Sequence, residues 1–336
     1  MPSKPRIFAT RPLPASVIEF LSERCEVHAY PKDEFISASD LAKVCRELEI
    51  EGVLSSSTPI NKQVIEQASR LRVVSQLGKG YDNVDVAVCT THKIIVTNVI
   101  GAPEESTADI TLALILSAAR RIVEGDHYVR DGQWKSWLWK LLWGFDVHGK
   151  TIGLYGFGAI GQAVARRAGG FSMRILYHTR RRAPERLERE LKAEFVDAET
   201  LIRQSDFLSL HTPLTPETRR LITARELAWM KPTAFLINTA RGPVVDEQAL
   251  VEALKAGRLA GAGLDVFEHE PKVHPELIKM QNVVLLPHLG SATEETRTRM
   301  ARLASENLLT ALDGQRPPNL VNPEVWTSVP GDRSWA

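Results

Sequence analysis

The chain has 336 residues, more than the roughly 100 to 200 of a single domain, so two domains are expected and a disordered segment or a stapled miniprotein is excluded. Hydrophobic residues at 43% and charged residues at 25% match an ordinary soluble globular composition. Its 42 basic and 41 acidic residues leave +1, too little for the positive field that nucleic acid or an acidic membrane requires, so neither is expected as a partner and small molecules or proteins are.

Short aliphatic runs alternate with amphipathic segments: Arg6 to Ala9, Gly52 to Leu54, Arg72 to Gln76 and Ile94 to Thr97 in the first hundred residues. Thr151 to Tyr155, Arg174 to His178, Phe207 to His211, Phe235 to Asn238, Gly261 to Val266 and Val283 to Pro287 continue the series. That rhythm predicts a parallel α/β fold. Helical spacing is clearest at Pro14 to Cys25, with Val17, Phe20 and Leu21 inward, and at Asp246 to Ala256, with Leu250, Val251 and Leu254 inward. Near residue 100 the Gly- and Pro-containing stretch Asn98 to Glu105 predicts a domain boundary, followed by a capping-box-like helix start at Ser106-Thr107-Ala108-Asp109. The helix from about Thr107 to Arg121 is apolar on most faces, which predicts burial between domains or subunits. A second boundary is expected after His288, then a last amphipathic helix from Thr293 to Leu312. Beyond Pro317 the chain reads as irregular, and after about Trp326 as loose.

Cys25, Cys45 and Cys89 are odd in number, widely spaced and without a CxxC pair, which argues against a disulfide framework and a zinc site; no metal is expected. The N-terminal residues lack a signal peptide's apolar core, and the longest apolar stretch, Ile110 to Ala119, is far short of a membrane span. A reducing cytoplasm is the expected compartment.

Gly156-Phe157-Gly158-Ala159-Ile160-Gly161 lies between an apolar run and a helical pattern, the strand-turn-helix context of a dinucleotide fingerprint. Gly156 would allow the tight turn, Gly158 close backbone approach to a pyrophosphate, and Gly161 close packing of helix on strand. About 20 residues on, where an NAD site places an acid for the ribose, the sequence reads Tyr177-His178-Thr179-Arg180-Arg181-Arg182. A hydroxyl and guanidinium groups suit a 2′-phosphate, so NADP(H) is the preferred cofactor and NAD(H) the possible one. Further strand ends carry Arg241, Glu270 and His288, the groups that reduction of a 2-keto acid requires. The Arg would bind the carboxylate, the His would donate a proton to the developing alkoxide, and the Glu would orient the His.

These motifs, with Gly80-Tyr81-Asp82-Asn83-Val84-Asp85, Asn238-Thr239-Ala240-Arg241-Gly242, Gly263 to Pro271, Pro287-His288-Leu289-Gly290-Ser291 and Asn319-Leu320-Val321-Asn322-Pro323, closely resemble the D-isomer-specific 2-hydroxyacid dehydrogenases, and within them the glyoxylate/hydroxypyruvate reductases. The resemblance implies reduction of a small 2-keto acid to the D-2-hydroxy acid, with Arg241, Glu270 and His288 as catalytic triad. It also implies that Thr107, Thr212, Pro213, Thr239, Asp265 and Gly290 join the glycine turn, Thr179, Arg180 and Arg181 around the cofactor, Asp265 on the nicotinamide carboxamide. Lys79, Gly80 and Ser56 would face the substrate, and Trp137 would reach from a dimer-forming arm across to the partner's active site. Residues 1–100 with 289–336 would form a flavodoxin-like substrate-binding domain, into which a Rossmann domain, 101–288, is inserted with a dimerisation arm at about 107–145. The site would lie in the cleft.

Four of the seven tryptophans, Trp134, Trp137, Trp139 and Trp143, fall within ten residues, which favours an interface and a homodimer. Lys79 departs from the reductase pattern toward that of phosphite dehydrogenases, making oxidation of an inorganic oxyanion an alternative. A dinucleotide-sensing, corepressor-like binding protein is the alternative of another class. The Ser55-Ser56-Ser57-Thr58 hydroxyls would suit a hydroxylated substrate such as hydroxypyruvate.

Overall fold

The computed structural model describes residues 4–327. Within it the described residues divide into two compact units, 4–103 with 293–327, and Glu104–Ala292, so the breaks fall a few residues beyond those read from the sequence. The expectation of a loose end after about Trp326 concerns mostly residues outside the described ones.

The first unit holds a five-stranded sheet of β1 (Arg6–Ala9), β2 (Glu26–Ala29), β3 (Gly52–Ser55), β4 (Val73–Gln76) and β5 (Ile95–Thr97). All pairs are parallel, in the order β2-β1-β3-β4-β5. This is the flavodoxin-like arrangement, whose order reverses between β1 and β3. The helix Glu294–Leu312 starts on a Thr293 cap and packs Ala304, Leu308 and Leu312 into the core that also holds Ile7, Leu54 and Val73. Ser75 in β4 donates to the carbonyl of Ala304 at 2.8 Å. The segment beyond Pro317 is more ordered than expected. Leu320 bridges to Thr97, the Asn322 carboxamide accepts from Val96 N–H at 2.8 Å and donates to the Ile94 carbonyl at 2.9 Å, and Glu324–Thr327 is helical. Backbone groups at the open edge of β5 thereby gain partners that local sequence could not reveal.

The second unit holds β6 (Thr151–Tyr155), β7 (Arg174–His178), β8 (Ala193–Phe195), β9 (Phe207–Leu210), β10 (Phe235–Asn238), β11 (Gly261–Leu264) and β12 (Val283–Leu285). They form one parallel sheet in the order β12-β11-β10-β9-β6-β7-β8. This is a doubly wound Rossmann sheet with one added strand, and its order reverses between β6 and β9. The central strands β9, β10 and β11 are buried at every position, as strands covered on both faces must be. The two strands the sequence reading missed, β2 and β8, are both edge strands, short and half-solvated, without the apolar run that marked the others.

The apolar helix runs Glu104–Ala119, so Ser106 to Asp109 lie inside it rather than at its start. Pro103 precedes the first turn, where Glu104 and Glu105 favour the positive end of the helix dipole. Its burial comes from its own unit: Leu114 packs against Gly263 of β11, and Arg167 of the helix Ala159–Gly170 binds Glu105 and Asp109. Boundary or subunit burial is not needed to explain its apolar faces. After a left-handed Arg121 the helix Ile122–Arg130 follows, then an irregular stretch to residue 150 that carries the four tryptophans.

Candidate active site

The glycine turn sits at the switch point of the seven-stranded sheet. Gly156 has φ +101, and a Cβ there would lie 2.6 Å from the His211 carbonyl at the end of β9, so only glycine fits. Gly161 presses on the Gly156 carbonyl, where a Cβ would come to 2.4 Å, whereas a Cβ on Gly158 would meet nothing within 4 Å. Gly158 caps the helix Ala159–Gly170 without any side-chain bond, so the first-turn amides of Ala159, Ile160 and Gly161 remain for an anion. Across the switch point the Thr212 hydroxyl is buried without a hydrogen-bond partner, while Pro213 beside it is exposed. An open glycine, uncapped amides and an orphaned hydroxyl fit a dinucleotide pyrophosphate. His211, bonded to Ser209 at 2.9 Å, is pushed down to about 3 by burial and stays neutral.

β7 is tied to this turn, since Gly156 N–H donates to the His178 carbonyl at 2.9 Å. Thr179, whose hydroxyl bonds the Arg181 carbonyl, then closes a tight turn that leaves the side chains of Arg180 and Arg181 exposed. Arg182 is exposed as well but is paired with Glu188, its Nε and Nη2 each 2.8 Å from a carboxylate oxygen.

The next three strand ends bring the proposed chemistry together. Asn238 at the end of β10 accepts from Ala240 N–H and donates to the Arg241 carbonyl, both at 3.0 Å, folding the backbone beneath Arg241. A Cβ on Gly242 would fall 1.9 Å from the Phe267 carbonyl, so glycine is what lets this loop meet the one after β11. Glu270 accepts from Phe267 N–H at 3.0 Å with one oxygen and contacts His288 Nδ1 at 2.9 Å with the other. Burial disfavours the Glu270 charge, but the His288 bond and the positive charge of His288 and Arg241 outweigh it and hold the carboxyl below its ordinary range. Because an ionised carboxylate only accepts, Nδ1 carries a proton toward Glu270, which leaves Nε2 to exchange one.

His288 occupies the left-handed region, φ 58, which is uncommon for a side chain of this size. Asp265 holds it there. The Asp265 carbonyl accepts from His288 N–H at 2.9 Å, and its carboxylate oxygens accept from Leu289 N–H at 2.6 Å and Gly290 N–H at 2.8 Å. Burial pushes the Asp265 carboxyl up, against the two amides and the His288 charge that favour ionisation. Thr107 lies beside Gly290, and Thr239 shares a 2.9 Å bond with Thr111 one turn further along the same helix. Thr107, Thr239, Asp265 and Gly290 are thus gathered around the strand ends. The positioning roles of Asn238 and Gly242 were missed by the sequence reading, although both stand in the segment it had singled out.

Ser56, Lys79 and Gly80 belong to the first unit, at the carboxyl ends of β3 and β4. Ser56 N–H donates to the Thr10 hydroxyl at 3.0 Å, and the Lys79 carbonyl accepts from the Asn98 carboxamide at 2.8 Å. Trp137 is in neither cluster; it is 72% exposed and edge-on to Trp139, with ring centroids 5.8 Å apart. Among the described residues no group of three or more His, Cys, Asp or Glu could hold a metal, and no helix is long and apolar enough to cross a membrane.

A doubly wound sheet with this turn and these strand ends defines a dinucleotide-dependent dehydrogenase. Residues 112–290 match the profile of the family described as D-isomer specific 2-hydroxyacid dehydrogenase, NAD binding domain. The chain is 47% identical to a glyoxylate reductase of Thermococcus litoralis, covering 97% of this chain and 99% of that one. Among solved structures it is similar to a glyoxylate reductase from Paecilomyes thermophila, with TM-score 0.86 and 33% identity over 96% of this chain and 99% of that one. It is also similar to an NADPH-dependent glyoxylate/hydroxypyruvate reductase from Sinorhizobium meliloti, with TM-score 0.84 and 32% identity over 96% and 98%. The chain belongs to the D-isomer specific 2-hydroxyacid dehydrogenase family and binds a nicotinamide dinucleotide.

Proposed function

We propose that the protein reduces glyoxylate, hydroxypyruvate or a closely related 2-keto acid to the D-2-hydroxy acid, with NADP(H) preferred. The observation that carries this reading is the Glu270–His288 pair at 2.9 Å, on a loop braced by Asp265 beside the Arg241 turn. The names of the relatives support the substrate class. When bound, the dinucleotide supplies the hydride. Arg241 pairs with the substrate carboxylate and draws charge toward the carbonyl oxygen, while His288 Nε2 gives its proton to the alkoxide as that charge develops. Glu270 keeps the imidazole in one orientation and one tautomer.

Two exposed guanidiniums at the end of β7, where an NAD-preferring site would carry an acid, support the NADP(H) preference. Exposed Trp134, Trp137, Trp139 and Trp143 support a homodimer formed through that segment, because monomeric proteins rarely leave such a patch in water.

The deciding assay follows NADPH and NADH oxidation side by side with glyoxylate, hydroxypyruvate, pyruvate and 2-ketogluconate, with phosphite plus oxidised cofactor as the reverse control. Turnover of glyoxylate or hydroxypyruvate, faster with NADPH, is expected. Phosphite oxidation in place of keto-acid reduction would replace the substrate reading and make Lys79 its key residue. Replacing Arg180 and Arg181 together by Ala should raise KM for NADPH far more than for NADH, and an equal rise would remove the phosphate assignment. Light scattering should give a dimer mass, and a Trp137→Ser, Trp139→Ser variant a larger monomer fraction.

A further inference from the structure

Tyr177 is fully buried in β7, yet its hydroxyl sits at a junction of three elements. Its ring stacks on Phe157, inside the glycine turn, with centroids 4.0 Å apart and planes 20° from parallel. Its oxygen accepts from Ala183 N–H at 2.9 Å, just past the three arginines, and its proton goes to the Glu188 carboxylate. Glu188 is itself only 7% exposed and receives the Arg182 fork through two 2.8 Å bonds. One side chain therefore touches both the turn that fits a pyrophosphate and the turn that carries the arginines.

A buried carboxylate needs donors, and the three that Glu188 has come from Arg182 and Tyr177. Two consequences follow for the strand end. The Glu188 charge beside the arginine turn is paired, so it repels a phosphate placed there less, and the Arg182 fork is committed to Glu188 while Arg180 and Arg181 stay exposed. The Ala183 and Arg182 anchors also hold the far end of the turn, while the Thr179 hydroxyl closes the near end on the Arg181 carbonyl. Guanidinium groups on a held turn lose less freedom when they bind than groups on a mobile one.

We propose that Tyr177 and Glu188 are positioning residues for cofactor selection: they brace the arginine turn against the glycine turn, so that Arg180 and Arg181 are set for the 2′-phosphate of a phosphorylated dinucleotide. This rests on the NADP(H) reading above. The brace touches the turn and leaves the cofactor contacts to the arginines.

Tyr177→Phe tests it without changing charge or ring packing. In the parent protein, adenosine 2′,5′-bisphosphate should compete with cofactor better than AMP. In Tyr177→Phe the KM for NADPH should rise about fivefold, the scale of one buried hydrogen bond, while the KM for NADH changes less than twofold. The inhibition advantage of the bisphosphate over AMP should shrink by a similar factor. Arg182→Lys, which keeps the charge but loses the fork, should move both ratios in the same direction. Equal changes for NADPH and NADH, or none, would overturn the brace while leaving the NADP(H) reading intact. A parent protein that does not distinguish the bisphosphate from AMP would overturn both.

Discussion

In the seven-stranded sheet the switch point between β6 and β9 opens on a glycine turn, an uncapped helix of twelve residues and an orphaned Thr212 hydroxyl. In the five-stranded sheet the switch point lies between β1 and β3, and there Ser56 N–H and the Thr10 hydroxyl close on each other at 3.0 Å. β1 runs into Thr10-Arg11-Pro12-Leu13-Pro14, a stretch without glycine, and its helix begins only at Ala15. Both sheets obey the same winding rule, and only one presents the features of a dinucleotide site. Topology supplies a crevice, and the residues at the strand ends decide what it holds.

The largest expected effect separates the two sheets by chemistry. His288→Asn should lower kcat by about 10² to 10⁴-fold, the contribution of a positioned acid, with the fold intact by circular dichroism. Unchanged turnover would remove His288 from the mechanism. Next comes a matched pair of glycines. Gly156→Ala forces a Cβ into the His211 carbonyl at φ +101 and should weaken dinucleotide binding by about tenfold or more, whereas Gly78→Ala at the end of β4 meets nothing within 4 Å and should be tolerated. Similar losses in dinucleotide titrations of the two variants would erase the contrast. Asp265→Asn would set an amide donor against one of two backbone N–H groups, and kcat is expected to fall about tenfold as the His288 loop loosens. Steady-state kinetics on that variant should show the fall even with saturating cofactor.

The smallest effect is on acid stability. Glu188, held first by Arg182 and then by the Tyr177 hydroxyl, ionises near about 2 instead of the ordinary 4.5. A carboxyl depressed by folding stabilises the native state above 4.5, and that contribution is lost as the pH falls toward about 2. A plot of Tm against pH should therefore be shallower in that window for Glu188→Gln than for the parent protein. Parallel curves would show that Glu188 has no such linkage.

Much of the site was legible because its residues sit in short local patterns at strand ends. The glycine turn, the arginine run and the segments carrying Arg241, Glu270 and His288 were all read from the chain, as were ten of the twelve strands among the described residues. The misses share a physical cause. β2 and β8 are edge strands whose partners lie far along the chain, and the apolar helix was placed too late because Glu104 and Glu105 read as loop while they form its first turn.

By itself the sequence determined the parallel α/β rhythm, the dinucleotide turn and the segments that carry Arg241, Glu270 and His288, since each depends on residue type at fixed local spacing. Tertiary structure alone decided which neighbours hold them. Asp265 grips the amides of residues 289 and 290, Asn322 closes the edge of β5, and Arg182 is taken from its two neighbours by Glu188. Those bonds join groups that no local pattern pairs, because a buried donor or acceptor takes its partner from whatever the packed chain brings within reach.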